Sequence, residues 1–165
     1  SDEVDEDDME VDEEPLSKQI YDKLIEALKQ TPLELNLQPK QYADKYLLLA
    51  EVSDLDTSSV KLEFGKNDLI IVSGYRLPSE AAVYRTMETL NPSNILNQLY
   101  RLCKGKFGAF EERFRIPQNV NREKISLNYE RNTLIVTIPK RATNPRRHYR
   151  PSQTPYNRTR SPFFF

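Results

Sequence analysis

Hydrophobic and polar residues alternate with a period of two along the stretch from Phe107 to Lys140. In its first run Phe110, Phe114 and Ile116 fall on one face, with Glu111, Arg113 and Arg115 on the other. In the second, Ile125, Leu127 and Tyr129 alternate with Lys124, Ser126, Asn128 and Glu130, and in the third Leu134, Val136 and Ile138 keep the phase. A period of two predicts strands with one buried face. Arg131-Asn132 separates the last two runs, and Asn tolerates the left-handed backbone of a tight hairpin. Pro117 and Pro139 mark strand ends, because proline donates nothing to a ladder.

The same pattern recurs upstream. Leu33–Leu37 alternates and predicts a short first strand. Tyr46–Val52 is an almost unbroken apolar run, which predicts a strand covered on both faces. Val60, Leu62 and Phe64 alternate, Gly65–Asp68 turns, and Leu69–Val72 returns, giving a hairpin. Before these strands the period changes. Leu16, Ile20, Leu24 and Leu28 recur at four-residue steps, with Ile25 widening the stripe. Pro15 suits a first helical turn and Thr31-Pro32 a stop. This helix is marginal alone and needs a surface, whether its own domain, a second subunit or a client.

Residues 77–106 carry two patterns. Asn91-Pro92 is a helix start, Gly105 a stop, and Ile95, Leu99 and Leu102 share a helical face. Tyr100–Lys104 also reads as a strand, and a short helix over Pro92–Gln98 followed by that strand reconciles the two.

The strands from Phe107 onward resemble the α-crystallin domain of small heat-shock proteins. That family carries an F-x-R-x-F-x-[IL]-P strand and, later, a turn followed by L-x-[VI]-x-[VIL]-P-K. The matching residues are Phe110, Phe114, Ile116 and Pro117, then Leu134, Val136, Ile138, Pro139 and Lys140. Glu112 stands where the family has Arg, Leu127 where it has Ala, and Asn132 where it has the turn Gly. The resemblance spans roughly Leu33 to Arg141. It implies an all-β, immunoglobulin-like antiparallel β-sandwich of about eight strands, preceded by the helix over residues 15–31. It also implies an ATP-independent holdase for partly unfolded clients. The family's client groove maps to Leu62, Phe64, Ile125 and Leu127. A strand exchanged with a partner subunit maps to residues 77–106, which makes Leu99, Tyr100 and Leu102 the candidate homodimer interface. The family's C-terminal I-x-I/V motif has no counterpart here, since no Ile, Leu or Val follows Ile138. A dimer or small oligomer is therefore expected, with Phe163, Phe164 and Phe165 as a substitute docking segment.

Charge adds tails to this picture. The chain has 165 residues and a net charge of −1. Ten carboxylates and no base occupy residues 1–14, while seven Lys and Arg and no acid follow from Lys140 onward. Such blocks predict disordered, solvated segments over 1–14 and 142–165. They could also capture partners of opposite charge, or pair with each other. Tyr149 and Tyr156 among arginines could stack on bases, but the acidic end opposes nucleic acid, which is not an expected partner.

Enzymatic chemistry finds no support in the residue pattern. His148, the only histidine, lies in the basic tail, outside any folded triad. One Cys and one His cannot make a structural zinc site, and no phosphate-binding Gly-Lys-Ser/Thr occurs. No cofactor is expected. Cys103 alone allows no internal disulfide, and no apolar run is long enough for a membrane helix or a signal peptide. The expected compartment is the cytosol or nucleus. The rival function is a non-chaperone interaction scaffold of the CS-domain or α-crystallin-like type in a cytosolic or nuclear complex.

Overall fold

The computed structural model describes residues 14–142. Its elements in order are helix α1 (Leu16–Leu28), strands β1 (Gln38–Gln41), β2 (Lys45–Glu51), β3 (Lys61–Gly65) and β4 (Leu69–Arg76), helices α2 (Glu80–Met87) and α3 (Ile95–Cys103), and strands β5 (Gly108–Arg115), β6 (Ser126–Glu130) and β7 (Thr133–Pro139). Two antiparallel sheets form, in the orders β1-β2-β7-β6 and β3-β4-β5. Among the described residues there are seven strands rather than about eight.

The alternation seen in the sequence builds the core between the sheets. Tyr46, Leu48 and Ala50 of β2 lie beside Leu134, Val136 and Ile138 of β7, and face Ile70, Val72 and Phe110 of the other sheet. All nine are buried. The β6–β7 turn places Arg131 and Asn132 at φ 53° and 59°, the doubly left-handed geometry that suits the twist of a two-residue hairpin.

Three expectations need correction. Leu33–Leu37 is not a strand: the first strand is Gln38–Gln41. Instead the Thr31–Leu33 backbone bonds Ala109 on β5 (Ala109 N–H to Thr31 O, 2.7 Å; Leu33 N–H to Ala109 O, 2.8 Å), which draws the segment to the other sheet. Second, the outward side chains Leu47 and Leu49 of β2 are only half-buried, so that strand is fully covered on one face. Third, residues 77–106 hold two helices, and Tyr100–Lys104, read as a strand, belongs largely to α3. Its apolar residues at three- and four-residue steps find a helical partner, and that tertiary contact decides between the two patterns.

That partner is α1. Leu24 and Leu28 of α1, Val83 of α2, and Leu99 and Cys103 of α3 form a second buried core separate from the sandwich. Lys18 clamps α1 to α2, reaching Asp22 at 3.1 Å and Glu80 at 3.0 Å, and Tyr21 donates to the Pro78 carbonyl at 3.0 Å. Arg76 fastens this layer to the sandwich. Its guanidinium donates to the carbonyls of Ser53 and Lys106 and lies over the Phe107 ring at 5.2 Å.

Candidate functional site: the open side between the sheets

The strand orders leave β3 and β6 as sheet edges. Both lie on one side of the sandwich. Arg122, just before β6, bonds Asp68 of the β3–β4 turn at 3.0 Å and stands over the Phe64 ring of β3 at 5.6 Å. The opposite side, between β5 and β1, is closed by the chain itself. There Leu35 and Leu37 pack on the core, and the Glu112 carboxylate accepts the N–H groups of Leu35, Asn36 and Leu37 at 2.7–3.2 Å. The asymmetry has a simple origin: the segment leaving α1 covers one side only.

On the open side, Leu62 and Phe64 point inward from β3, paired with the buried Val72 and Ile70 of β4. Ile125 and Leu127 come from the start of β6, where Leu127 pairs with the buried Val136. Leu62, Ile125 and Leu127 are half-buried against the core. Phe64 remains 49% exposed although it occupies an inward position. The four residues expected at the groove therefore sit at the two strands that border the open side, or trough, and the outer backbone edges of those strands pair with no other strand of the described chain. Further along β6, Tyr129 donates from its hydroxyl to the Val52 carbonyl at 2.7 Å. Arg122 was not among the expected residues. Only its place in the polar joint before β6 could have signalled it, and that place does not foretell a ring to cover.

The other candidates separate. Leu99 is 2% exposed inside the helical core. Tyr100 shares a 2.7 Å hydroxyl contact with the buried Thr31 of its own chain. Leu102 alone of the three is exposed, at 53%. Phe163, Phe164 and Phe165 lie outside the described residues. Among the described residues no cluster of three or more His, Cys, Asp or Glu side chains could hold a metal ion, and no helix is long and apolar enough to cross a membrane.

This chain is similar to known proteins. It is 24% identical over 108 residues to the 17.6 kDa class I heat shock protein 1 of Arabidopsis thaliana, a match covering 66% of this chain and 61% of that one. It is 23% identical over 128 residues to the 18.8 kDa class II heat shock protein of Ipomoea nil, covering 78% and 66% respectively. The chain thus spans somewhat less than two thirds of the length of these relatives. Among solved structures, HSP18.5 from E. histolytica aligns with a TM-score of 0.46 at 19% identity, over 66% of this chain and 89% of that one. A small heat-shock protein from Xylella fastidiosa aligns at 0.47 and 18%, over 66% and 86%. The family model for Hsp20/alpha crystallin matches residues 38–152, a span that holds all seven strands together with the trough between β3 and β6, and on that match the chain belongs to the Hsp20/alpha crystallin family.

Proposed function

We propose that the protein is an ATP-independent holdase that takes extended segments of partly unfolded clients into the trough between β3 and β6. The observation that carries this is Phe64, an inward-facing aromatic left half exposed between two open strand edges. An edge strand offers backbone donors and acceptors to an added strand, while alternate apolar client side chains fill the space between Leu62, Phe64, Ile125 and Leu127. Large exposed apolar surface is a liability unless it binds something. The test is suppression of client aggregation at stoichiometric ratio without nucleotide, comparing the native chain with Phe64→Ser and Leu127→Ser. Undiminished suppression by both variants would move client capture elsewhere.

Self-association as a homodimer or small oligomer belongs to the same proposal. Because Leu99 and Tyr100 are engaged within the chain, Leu102 is the member of that set open to a second copy. One observation favours a second function, a non-chaperone interaction scaffold. The segment that would supply an exchanged strand is instead folded into a helical layer with a core of its own. An inert aggregation assay together with a stable complex with a folded partner would select it. The proposed compartment is the cytosol or nucleus.

A further inference from the structure

The open side of the sandwich carries one contact that its apolar residues do not require. Arg122 bonds Asp68 at 3.0 Å and stands over the Phe64 ring at 5.6 Å. Asp68 belongs to the turn between β3 and β4, whereas Arg122 leads into β6 of the other sheet. Among the described residues this is the one hydrogen bond between residues 60–69 and residues 117–130. A single side chain thus clasps the two sheets across the open side.

Both ends of the clasp are anchored. Arg122 opens a short helical turn, Arg122–Lys124, just after the Asn121 N–H bonds the Pro139 carbonyl at 2.8 Å. Asp68 is held through its own carbonyl, which accepts the Ile116 N–H at 2.6 Å. The contact between them is weak. The two side chains remain 45% and 58% exposed, and an exposed ion pair changes an equilibrium by no more than about fivefold. The clasp therefore biases entry and does not lock it.

The resting partners of Arg122 define what can replace them. Its guanidinium meets a carboxylate with its N–H groups and an aromatic ring with its plane, two contacts that this group makes at once. A segment that packs on Phe64 displaces the cation from the ring and costs it that attraction. An apolar or basic segment returns nothing. A segment with an aromatic side chain beside a carboxylate offers both partners again.

We propose that Arg122 is the specificity-determining residue of the open side: it disfavours apolar and basic segments and admits those that carry a carboxylate beside an aromatic residue. The proposal rests on the reading of this side as the client site and adds which clients it takes. Selection of this kind works through a penalty on the wrong partner as much as through attraction to the right one.

Three labelled extended peptides test it on the full chain by fluorescence anisotropy. They are identical except that a central phenylalanine is flanked by glutamates, by glutamines or by lysines. The glutamate peptide should bind about two- to fivefold tighter than the glutamine peptide, and the lysine peptide should bind weakest. Arg122→Ala should raise the other two to the affinity of the glutamate peptide, so that the three converge. High salt should narrow the difference on the native chain, and Phe64→Ser should weaken all three. If circular dichroism shows that Arg122→Ala loses its strands, Arg122→Gln carries the same expectation. Equal binding of the three peptides to the native chain, with all of it lost in Phe64→Ser, overturns the proposal and leaves the client site standing. Binding that ignores Phe64→Ser, or no binding of any peptide, overturns the client site and the selectivity with it. Equal loss of discrimination in Arg101→Ala, which removes an exposed base on α3, also overturns the proposal, because net charge would then be the cause.

Discussion

Glu112 holds Asn36 in a left-handed turn: the carboxylate accepts the Asn36 N–H at 3.0 Å, and Asn36 sits at φ 59°. The same carboxylate takes the N–H groups of Leu35 and Leu37 at 2.7 and 3.2 Å. Three successive backbone donors thus converge on one acidic side chain placed on the inward face of β5 between Phe110 and Phe114. A charge on an apolar face is costly without partners, and here the partners are the backbone of the segment that closes the β5–β1 side.

Replacing Glu112 by Ala removes the charged acceptor shared by three backbone donors, which should cost about 1–3 kcal/mol of stability. Glu112→Arg, which installs the residue usual in the family, should cost at least as much, since it sets a cation against three N–H groups. Asn36→Gly should be nearly neutral because glycine adopts positive φ freely. Denaturant midpoints of the three variants check this. An Arg variant as stable as the native chain would show that the three hydrogen bonds contribute nothing.

Val136 and Ile135 are sequence neighbours on opposite faces of β7. Val136 is 0% exposed, with Leu48 and Leu127 beside it on the flanking strands, whereas Ile135 points outward and is half-buried. Val136→Asp should cost several kcal/mol by burying an unpaired charge, and Ile135→Asp much less. The ratio of the two thermal shifts tests the register directly, because a slip of one residue would invert it.

The strands were legible because alternation is a local signal. Leu134, Val136 and Ile138 state their face without help from distant residues, and so do Leu62 and Phe64. The helical layer was legible only in half. Leu16–Leu28 shows a stripe, but nothing local says that the partners of its buried Leu24 and Leu28 lie some 55 to 75 residues further on in Val83 and Leu99. Residues 95–103 suit a helix or a strand until that partner is known. Leu33–Leu37 failed for a similar reason: its alternation is real, but the Ala109 carbonyl and the Glu112 carboxylate take the N–H groups of Leu33, Leu35, Asn36 and Leu37 that a ladder would use. Glu112 itself gave a warning, as a charge on an apolar face that demanded a partner.

Several groups of the helical layer titrate in the same direction. Hydrogen bonds to Glu80 and Asp22 raise Lys18 above its ordinary value. Desolvation raises the Tyr21 and Tyr84 phenols, with the Glu80 charge adding to both, and burial pushes the Cys103 thiol up. A raised folded value favours the protonated form, so its contribution is complete below the ordinary unfolded pKa and is lost as pH rises through the folded one. Ordinary values of about 8.5 for Cys and about 10 for Tyr and Lys put the loss on the alkaline side. The layer should hold unchanged through neutral pH and loosen in alkali before the sandwich does. Tyrosinate absorbance should show late-titrating phenols that Tyr21→Phe reduces. If helical dichroism and sheet structure are lost together, the two cores unfold as one unit.

The trough should be covered by the chain's own last residues when no client is bound. Pro139 ends β7, and Thr137 pairs with Ser126 at the start of β6, so the chain leaves the sandwich close to Ile125. From Ala142 to Phe163 it has about 20 residues, a chain length of up to about 65 Å when extended. That distance is ample to bring Phe163 and Phe165 to Leu62 and Phe64. An extended Phe-Phe-Phe segment presents alternate rings to one side, which suits a cleft bounded by strand edges, and α1 cannot compete because its stripe is buried against α3. Burying two phenylalanine side chains provides roughly 3–6 kcal/mol, and ordering the segment consumes much of it, so the cover is weak and exchangeable. Arg122, already over Phe64 and tied to Asp68, has to swing aside for the rings to enter. Removing residues 161–165 should therefore raise the binding of an apolar dye or an extended client peptide while leaving the melting temperature nearly unchanged. Phe64→Ser in the shortened chain should cancel the gain. Unchanged dye and peptide binding after truncation would leave the three phenylalanines without a part in the trough.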